Sequence, residues 1–370
     1  MRSLTRTRQV VIVGAGVGGL CAAIALRKAG LDVVVLEQAT ELREVGAGVL
    51  LRPNAMRVLR RLELGAAIED AGAVAADAVL CSSRGTPLGG GLAEKVAARF
   101  DAPTVVVHRG LLQKILLAAL DRHILRLGAK CVGVAQDAQG VTVSLADGST
   151  ERGDLVVGAD GLHSQVRAAL VGDGPPRYSG YTAWRGIVPL DRSLADRLRP
   201  GESWGRGCLF GVARLGGNQA YWWASARVGE GTGGTPAEEK ATVERRFGVW
   251  HDPIPELIDA TLEQAIIRSG QYDRAPLRSW STGRVGLLGD AAHPMQASLG
   301  QGACQAIEDA AALGDAVGAG ADPTLALRAY GARRALPAAA AVRRSRRVAR
   351  LAHLRHPLAE AARDAALRLR

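Results

Sequence analysis

Aromatic residues are scarce in this chain of 370 residues, at six Trp, five Tyr and three Phe. Cysteine is scarcer: Cys21, Cys81, Cys131, Cys208 and Cys304 are scattered and show no paired spacing. An odd count without paired spacing argues against a disulfide framework and against a zinc site. It fits a reducing cytoplasm, which is the expected location. Long apolar runs are missing as well. The uncharged stretch from Gln9 to Leu26 follows Arg2, Arg6 and Arg8 as a targeting segment would, but Gly14, Gly16, Gly18 and Gly19 break it. No membrane span is expected. Acidic residues fall short of basic ones, 36 against 47, for a net charge of +11. The shortfall is local: residues 331–370 hold eleven Arg and no Lys against only Glu360 and Asp364. The remainder is nearly neutral, so no nucleic-acid partner is expected.

What is present is an ordinary folded composition, 48% hydrophobic and 22% charged. A chain of this length predicts two domains, or one with a large insertion. Val10-Val11-Ile12-Val13 reads as a buried parallel strand. Gly14-Ala15-Gly16-Val17-Gly18-Gly19 follows it, then a helical Ala/Leu stretch to about Lys28, then a second strand, Val33 to Leu36, ended by Glu37. This order of strand, G-x-G-x-x-G, helix, strand and acid predicts dinucleotide binding. Gly14 allows the tight turn, Gly16 lets the backbone approach a pyrophosphate, and Gly19 lets helix and strand pack closely. The helix N-terminus favours the phosphate charge. Glu37 stands close to the usual spacing of roughly 20 residues for an acid that binds ribose. FAD and NAD(P) share this fingerprint, so it does not choose between them.

Two later stretches repeat the theme of a strand running into a Gly/Asp turn: Gly153 to Gly161, followed by Ser164 and Arg167, and Gly283 to Pro294. Gly300-Gln301-Gly302 and a helix follow the second. A strand ending in Gly-Asp can set its carboxylate on a ribitol hydroxyl, and Gly300 and Gly302 let N–H groups approach a ring edge. With the glycine fingerprint, the Asp160-Gly161 pair and the Gly289-Asp290 pair, the chain resembles the group A, single-component FAD-dependent aromatic hydroxylases over most of residues 8–315. Val45-Gly46-Ala47-Gly48-Val49 with Arg52 to Ala55 looks like that family's flavin-flanking loop, and His108 to Gln113 like its FAD-contacting helix start.

The resemblance implies an α/β fold: a Rossmann-like FAD-binding domain, an inserted mixed β-sheet substrate domain and C-terminal helices. The expected FAD-binding domain comprises 1–75, 100–175 and 270–325. The substrate domain comprises 76–99 and 176–269, and the helices 326–370. It implies that Gly14, Gly16 and Gly19 hold the pyrophosphate and Glu37 the adenosine ribose. Gly48 and Val49 flank the isoalloxazine, and Arg109 and Gln113 meet the ribityl–phosphate region. Asp160 acts where FAD and NAD(P)H both approach, the alternative being a simple turn and helix cap. Asp290 binds the ribitol, and Gly302 and Ala303 donate N–H groups to the flavin. The implied activity hydroxylates or epoxidises an aromatic or polycyclic small molecule through a flavin C4a-hydroperoxide. O₂ and NADH or NADPH are the co-substrates, and NAD(P)H visits the same cleft transiently. A monomer or homodimer is expected, and no metal. The rivals are another oxidoreductase of the superfamily, a reductase or halogenase, and a non-catalytic FAD sensor. A halogenase would show W-x-W-x-I-P, which Trp184 to Pro189 lacks. Ala297 departs from the family's usual proline beside the flavin, and Cys304 from its usual asparagine.

Ten of the aromatics fall between Tyr178 and Trp250, which suggests an aromatic-walled cavity for a flat substrate. Arg206 and Tyr221 are the polar candidates there. Arg206 would hold an anionic or carbonyl group, and Tyr221 would orient a hydroxyl. His251, in a turn before Asp252-Pro253, is not expected to act as a base. The Arg-rich tail reads as helices broken by Pro337 and Pro357 and packed on the FAD domain, with Val342, Val348, Leu351 and Leu354 inward.

Overall fold

Val10, Val11 and Ile12 are wholly buried, because strand β1 (Gln9–Val13) is covered on both faces. The computed structural model describes residues 8–42, 47–75, 78–90, 98, 100–231, 233–320 and 322–369. Arg2 and Arg6, Val45 and Gly46 of the flavin-flanking loop, and residues 76–77, 91–97 and 99 lie outside the described residues. From β1 the chain turns at the glycines into α1 (Val17–Lys28) and returns as β2 (Asp32–Leu36), parallel to β1 in the register Val11↔Val34. This right-handed crossover is what a β-branched strand, a glycine turn and an Ala/Leu helix produce. Strand β3 (Gly48–Leu51) pairs antiparallel with β4 (Val105–His108), which leads directly into α2 (Arg109–Ala118).

Strand β5 (Leu155–Gly158) joins β1 on its other side, and α3 (Gln165–Val171) follows. The second sheet then begins with β6 (Arg177–Pro189), β7 (Gly201–Trp204), β8 (Cys208–Leu215), β9 (Gln219–Arg227) and β10 (Ile267–Asp273). Strand β11 (Val285–Leu287) returns to the first sheet, whose order is 281–282, β11, β5, β1, β2, 125–126. The second sheet runs β10, β6, β9, β8, β7, 79–82, 87–90. Its pairings are antiparallel except that β7 runs parallel to 79–82, so the sheet is mixed. Strand β10 carries this sheet to Asp273, a little past the expected boundary at 269.

Three helices end the chain: α4 (Gly302–Gly318), α5 (Pro323–Ala352) and α6 (Pro357–Arg368). Helix α4 lies close on α1, with Gly314 against Ala25 and Gly318 against Ala29. The tail corrects the sequence reading in three ways. Helix α5 runs unbroken through Pro337, whose side chain is exposed and whose only loss is one amide donor. Val342 points inward as expected, but Leu351 is 40% exposed, and Ser345, Ala349 and Ala352 take the buried stripe. The helix also reaches beyond the FAD domain, because Val348 and Ala352 pack with Trp204 and Leu209 of the second sheet.

The aromatic cluster divides by strand alternation. Trp222, Phe210 and Trp184 face the outer helices 236–247 and 254–259, where the indole N–H of Trp184 donates to Glu239 at 2.5 Å and that of Trp222 to Thr261 at 2.9 Å. Trp223 points the other way, and Gly211 opposite it on β8 leaves the room its indole needs. Most of the expected aromatic wall is therefore ordinary packing of a sheet on helices.

Candidate active site

The first cleft opens where β1 ends. Gly14 has φ +108°, and a Cβ there would lie 2.5 Å from the Ala159 carbonyl oxygen. The turn after β5 therefore packs against the turn after β1 only because Gly14 lacks a side chain. At Gly19 a Cβ would strike the Gly14 carbonyl, whereas at Gly16 it would meet nothing within 4 Å. Gly16 thus lines open space at the N-terminus of α1, where free N–H groups and the helix dipole favour an anion. Glu37 ends β2 with both oxygens engaged, accepting from the Ala15 N–H at 2.8 Å and the Ala39 N–H at 2.9 Å. A carboxylate keeps further lone pairs for a ribose. The cleft, about 410 Å³, is also lined by Arg109, Gly110 and Gln113. Gln113 donates to the Ala15 carbonyl at 3.3 Å, and the Arg109 N–H to Ala47 at 2.9 Å, so α2 ties the cleft to the strand carrying Gly48 and Val49.

The second turn is braced from below. Asp290 is exposed, with Gly302 at the start of α4 beside it. Desolvation by the protein packed around it raises its pKa, an effect that His293 and Arg109 partly offset. Beneath it, wholly buried Asp309 accepts from the Gly289 N–H at 3.1 Å, His293 Nε2 at 2.5 Å and Arg334 Nε at 2.7 Å. Burial opposes its charge, yet His293 and Arg334 hold the Asp309 carboxyl below its usual range. Burial opposes the His293 charge too, and Asp309 nevertheless holds that imidazole above its usual value. Arg167, fully buried, donates to the Ala291 and Ala292 carbonyls at 2.9 Å each and forks onto Asp173. Helix α3 is thereby stapled to the Asp290 turn.

Asp160 acts as a cap in the structure. Its carboxylate accepts from Ser164 Oγ at 2.5 Å and from the N–H groups of Gln165 at 2.7 Å and Val166 at 3.2 Å. Cys304 is buried, with its sulfur between the Arg52 N–H at 3.3 Å and the Leu50 and Gly300 carbonyls. Burial pushes this thiol up to about 11, so it stays protonated and packed. Gly300 adopts φ +60° just before Gly302. The loop ahead of it, Gln296 to Ser298, is held by the tail: Ser345 donates to the Gln296 carbonyl at 2.5 Å, and Arg346 to Asp273 at 2.7 Å.

The second cavity, about 560 Å³, lies between the β3–β4 strand pair and the second sheet. Leu50 and Val106 form one wall, Val212, Ala213, Trp204 and Trp223 the other, and Leu367 of α6 closes a side. Both polar candidates from the sequence fall outside it. Arg206 sits exposed in the turn between β7 and β8, with its Nε donating to the Arg355 carbonyl at 2.7 Å. Tyr221 is 4% exposed, packed against Gly48 and reached by Arg185, one layer behind the cavity wall. Strand alternation put the right face inward, but the ring is buried before it reaches the cavity. The polar side chains that do line the cavity are Glu202, Arg52 and Thr104. Glu202 accepts from the indole N–H groups of Trp204 at 2.9 Å and Trp223 at 3.0 Å. The two-residue spacing of Glu202 and Trp204 was the one sequence signal for it.

The cleft fits FAD: a glycine cradle a Cβ would fill, an acid at the strand end, and the first residues of α1 and α2 lining the same space. Comparison with known proteins agrees. Residues 7–345 match the family described as FAD binding domain. The chain is 42% identical over 321 residues to aurachin C monooxygenase/isomerase of Stigmatella aurantiaca, spanning 87% of this chain and 83% of that one. It is 38% identical over 346 residues to 3-amino-4-hydroxybenzoate 2-monooxygenase of Streptomyces platensis, with coverage of 87% and 83%. The structure of Klebsiella pneumoniae HpxO with FAD and uric acid superposes with a TM-score of 0.91 at 30% identity, over 98% of this chain and 93% of that one. Likeness of this extent, along nearly the whole chain, means that the protein belongs to the FAD-binding-domain family and is an FAD-dependent monooxygenase that uses NAD(P)H and O₂.

Proposed function

We propose that the protein oxygenates a flat, largely apolar aromatic or fused-ring molecule held in the cavity of about 560 Å³. The observation that carries this reading is the position of that cavity. It shares Leu50 and Arg52 with the segment just after Gly48 and Val49, and its volume falls in the range of small-molecule sites. Bound FAD supplies oxygen activation once NAD(P)H has reduced it. The chain's residues do the rest. Gly14, Gly16 and Gly19 admit the pyrophosphate, and Glu37 accepts from the ribose. Arg109 and Gln113 meet the ribityl–phosphate region, and Asp290 takes the ribitol. Gly302 and Ala303 offer N–H groups, and Gly48 and Val49 flank the ring. Asp160, as a cap, holds the turn that Gly14 packs against. The apolar walls keep water from the reacting face. The family relatives' named substrates, aurachin C and an aminohydroxybenzoate, support an aromatic substrate here.

The purified protein is expected to be yellow, with a flavin spectrum. It is expected to oxidise NADH or NADPH faster, with O₂ consumption, when the right member of a panel of phenols, quinolones and purines is added. A colourless protein that takes up no FAD would overturn the cofactor assignment. Flavin without stimulation by any panel member would overturn the substrate class. We place the enzyme in the cytoplasm as a monomer or homodimer. Among the described residues no helix is long and apolar enough to cross a membrane.

A further inference from the structure

We propose that Glu202 selects the substrate, by accepting a hydrogen bond from a ring N–H or aryl O–H on a flat aromatic molecule. The inference rests on the monooxygenase reading above and deepens it. Glu202 is half-buried in a mainly apolar wall that includes Val79, Leu80, Val212 and Trp223. A carboxylate in such a setting requires partners. Two are present: Trp204 donates to one oxygen at 2.9 Å and Trp223 to the other at 3.0 Å. A carboxylate offers about four lone-pair sites, so about half its capacity stays open. Among the described residues no Lys, Arg or His forms an ion pair with it.

The arrangement is rigid. Glu202 and Trp204 share one face of β7, and Trp223 comes from β9, two strands away across β8. Gly211 on β8 clears the space through which the Trp223 ring passes. The two indoles therefore fix the carboxylate's plane before any ligand arrives, which lowers the ordering cost of binding. Glu202 and Trp223 also border a smaller cavity, about 40 Å³, whose other walls include Gln296, Ala297 and Ser298. The open acceptor thus stands between the apolar cavity and the loop that leads to Gly300 and Gly302. A donor on the substrate's edge would satisfy it, and an anionic edge would be repelled. Such a bond also leaves electron density on the ring, which suits attack by an electrophilic oxygen.

The test is binding, read by quenching of tryptophan fluorescence, for two probe pairs: 4-quinolone against N-methyl-4-quinolone, and 1-naphthol against 1-methoxynaphthalene. Within a pair methylation replaces the donor hydrogen, and the added methyl is the same for the wild type and the variant. For the FAD-loaded wild type, the donor-bearing member of at least one pair is expected to bind about tenfold tighter, as a hydrogen bond to a charged group implies. In Glu202→Gln that preference is expected to fall below about threefold. Should that variant not fold, Trp204→Phe removes one fixing donor and keeps a ring, and is expected to reduce the preference as well. Equal binding within both pairs by the wild type would overturn the proposal. So would an unchanged preference in the variants, or no binding of any probe below about 1 mM. Probe-stimulated NAD(P)H oxidation by the wild type reports separately on the monooxygenase reading, so the two failures are distinguishable.

Discussion

Asp309 carries more of the site's geometry than its position suggests. It touches no ligand position, yet it anchors the Gly289 amide, the His293 ring and the Arg334 guanidinium at once. Removing one charge from a buried network leaves the others uncompensated, so Asp309→Asn is expected to cost about 3–5 kcal/mol of stability, read by urea unfolding. The pH dependence has a defined sign. Asp309 sits below its usual range, so its contribution is present above pH ~4 and fades as pH falls further. His293 sits above its usual value, so its contribution is complete below pH ~6.5 and fades as pH rises through the folded value. The wild-type advantage over the variant in melting temperature should therefore be greatest between those limits and shrink on either side. Glu37→Ala belongs to the same scale. It removes a carboxylate at the ribose position, and FAD affinity is expected to drop about 10- to 100-fold by titration.

Elements differed in how readily they could be read. The crossover of β1, α1 and β2 was legible because burial, backbone need and chemistry all act on the same few residues, with Gly14, Gly19 and Glu37 each having one physical reason to be there. The two Gly/Asp turns were legible for the same cause. The substrate side was not. Tyr221 and Arg206 sit among aromatics, as a ligand contact would, but depth in a sheet depends on partners far away in sequence. Trp222 and Trp223 are adjacent and face opposite sides. Glu202 escaped notice because one acid on an edge-proximal strand looks like a solvated charge until two indoles from separate strands meet it. Helix α5 misled for another reason: Pro337 usually stops a helix, but tertiary packing on α4 outweighs one lost hydrogen bond. Since that proline is exposed, Pro337→Ala restores an amide without opening a cavity, and is expected to raise stability by about 1–3 kcal/mol in thermal unfolding. Removing α6 exposes the cavity wall at Leu367, so truncation after Arg355 is expected to keep FAD bound while raising the substrate KM about tenfold.

For the whole molecule, the basic balance is a property of the tail. Arg343, Arg344, Arg347 and Arg350 are exposed, whereas Arg346 is spent on Asp273. Exposed charges of this kind attract polyanions mainly at low salt, so any RNA or anionic-vesicle binding should vanish by about 0.15 M salt in a filter or sedimentation assay. Helix α5 spans about 45 Å at 1.5 Å per residue for its 30 residues. It begins on the FAD-binding side, grips the Gln296 loop through Ser345, and ends against β9, where His353 meets Ser225 at 3.0 Å. A beam fastened at both ends resists a clamshell motion of the two sheets. Of the elements that line the cavity, α6 and the 87–90 edge lie outside this beam.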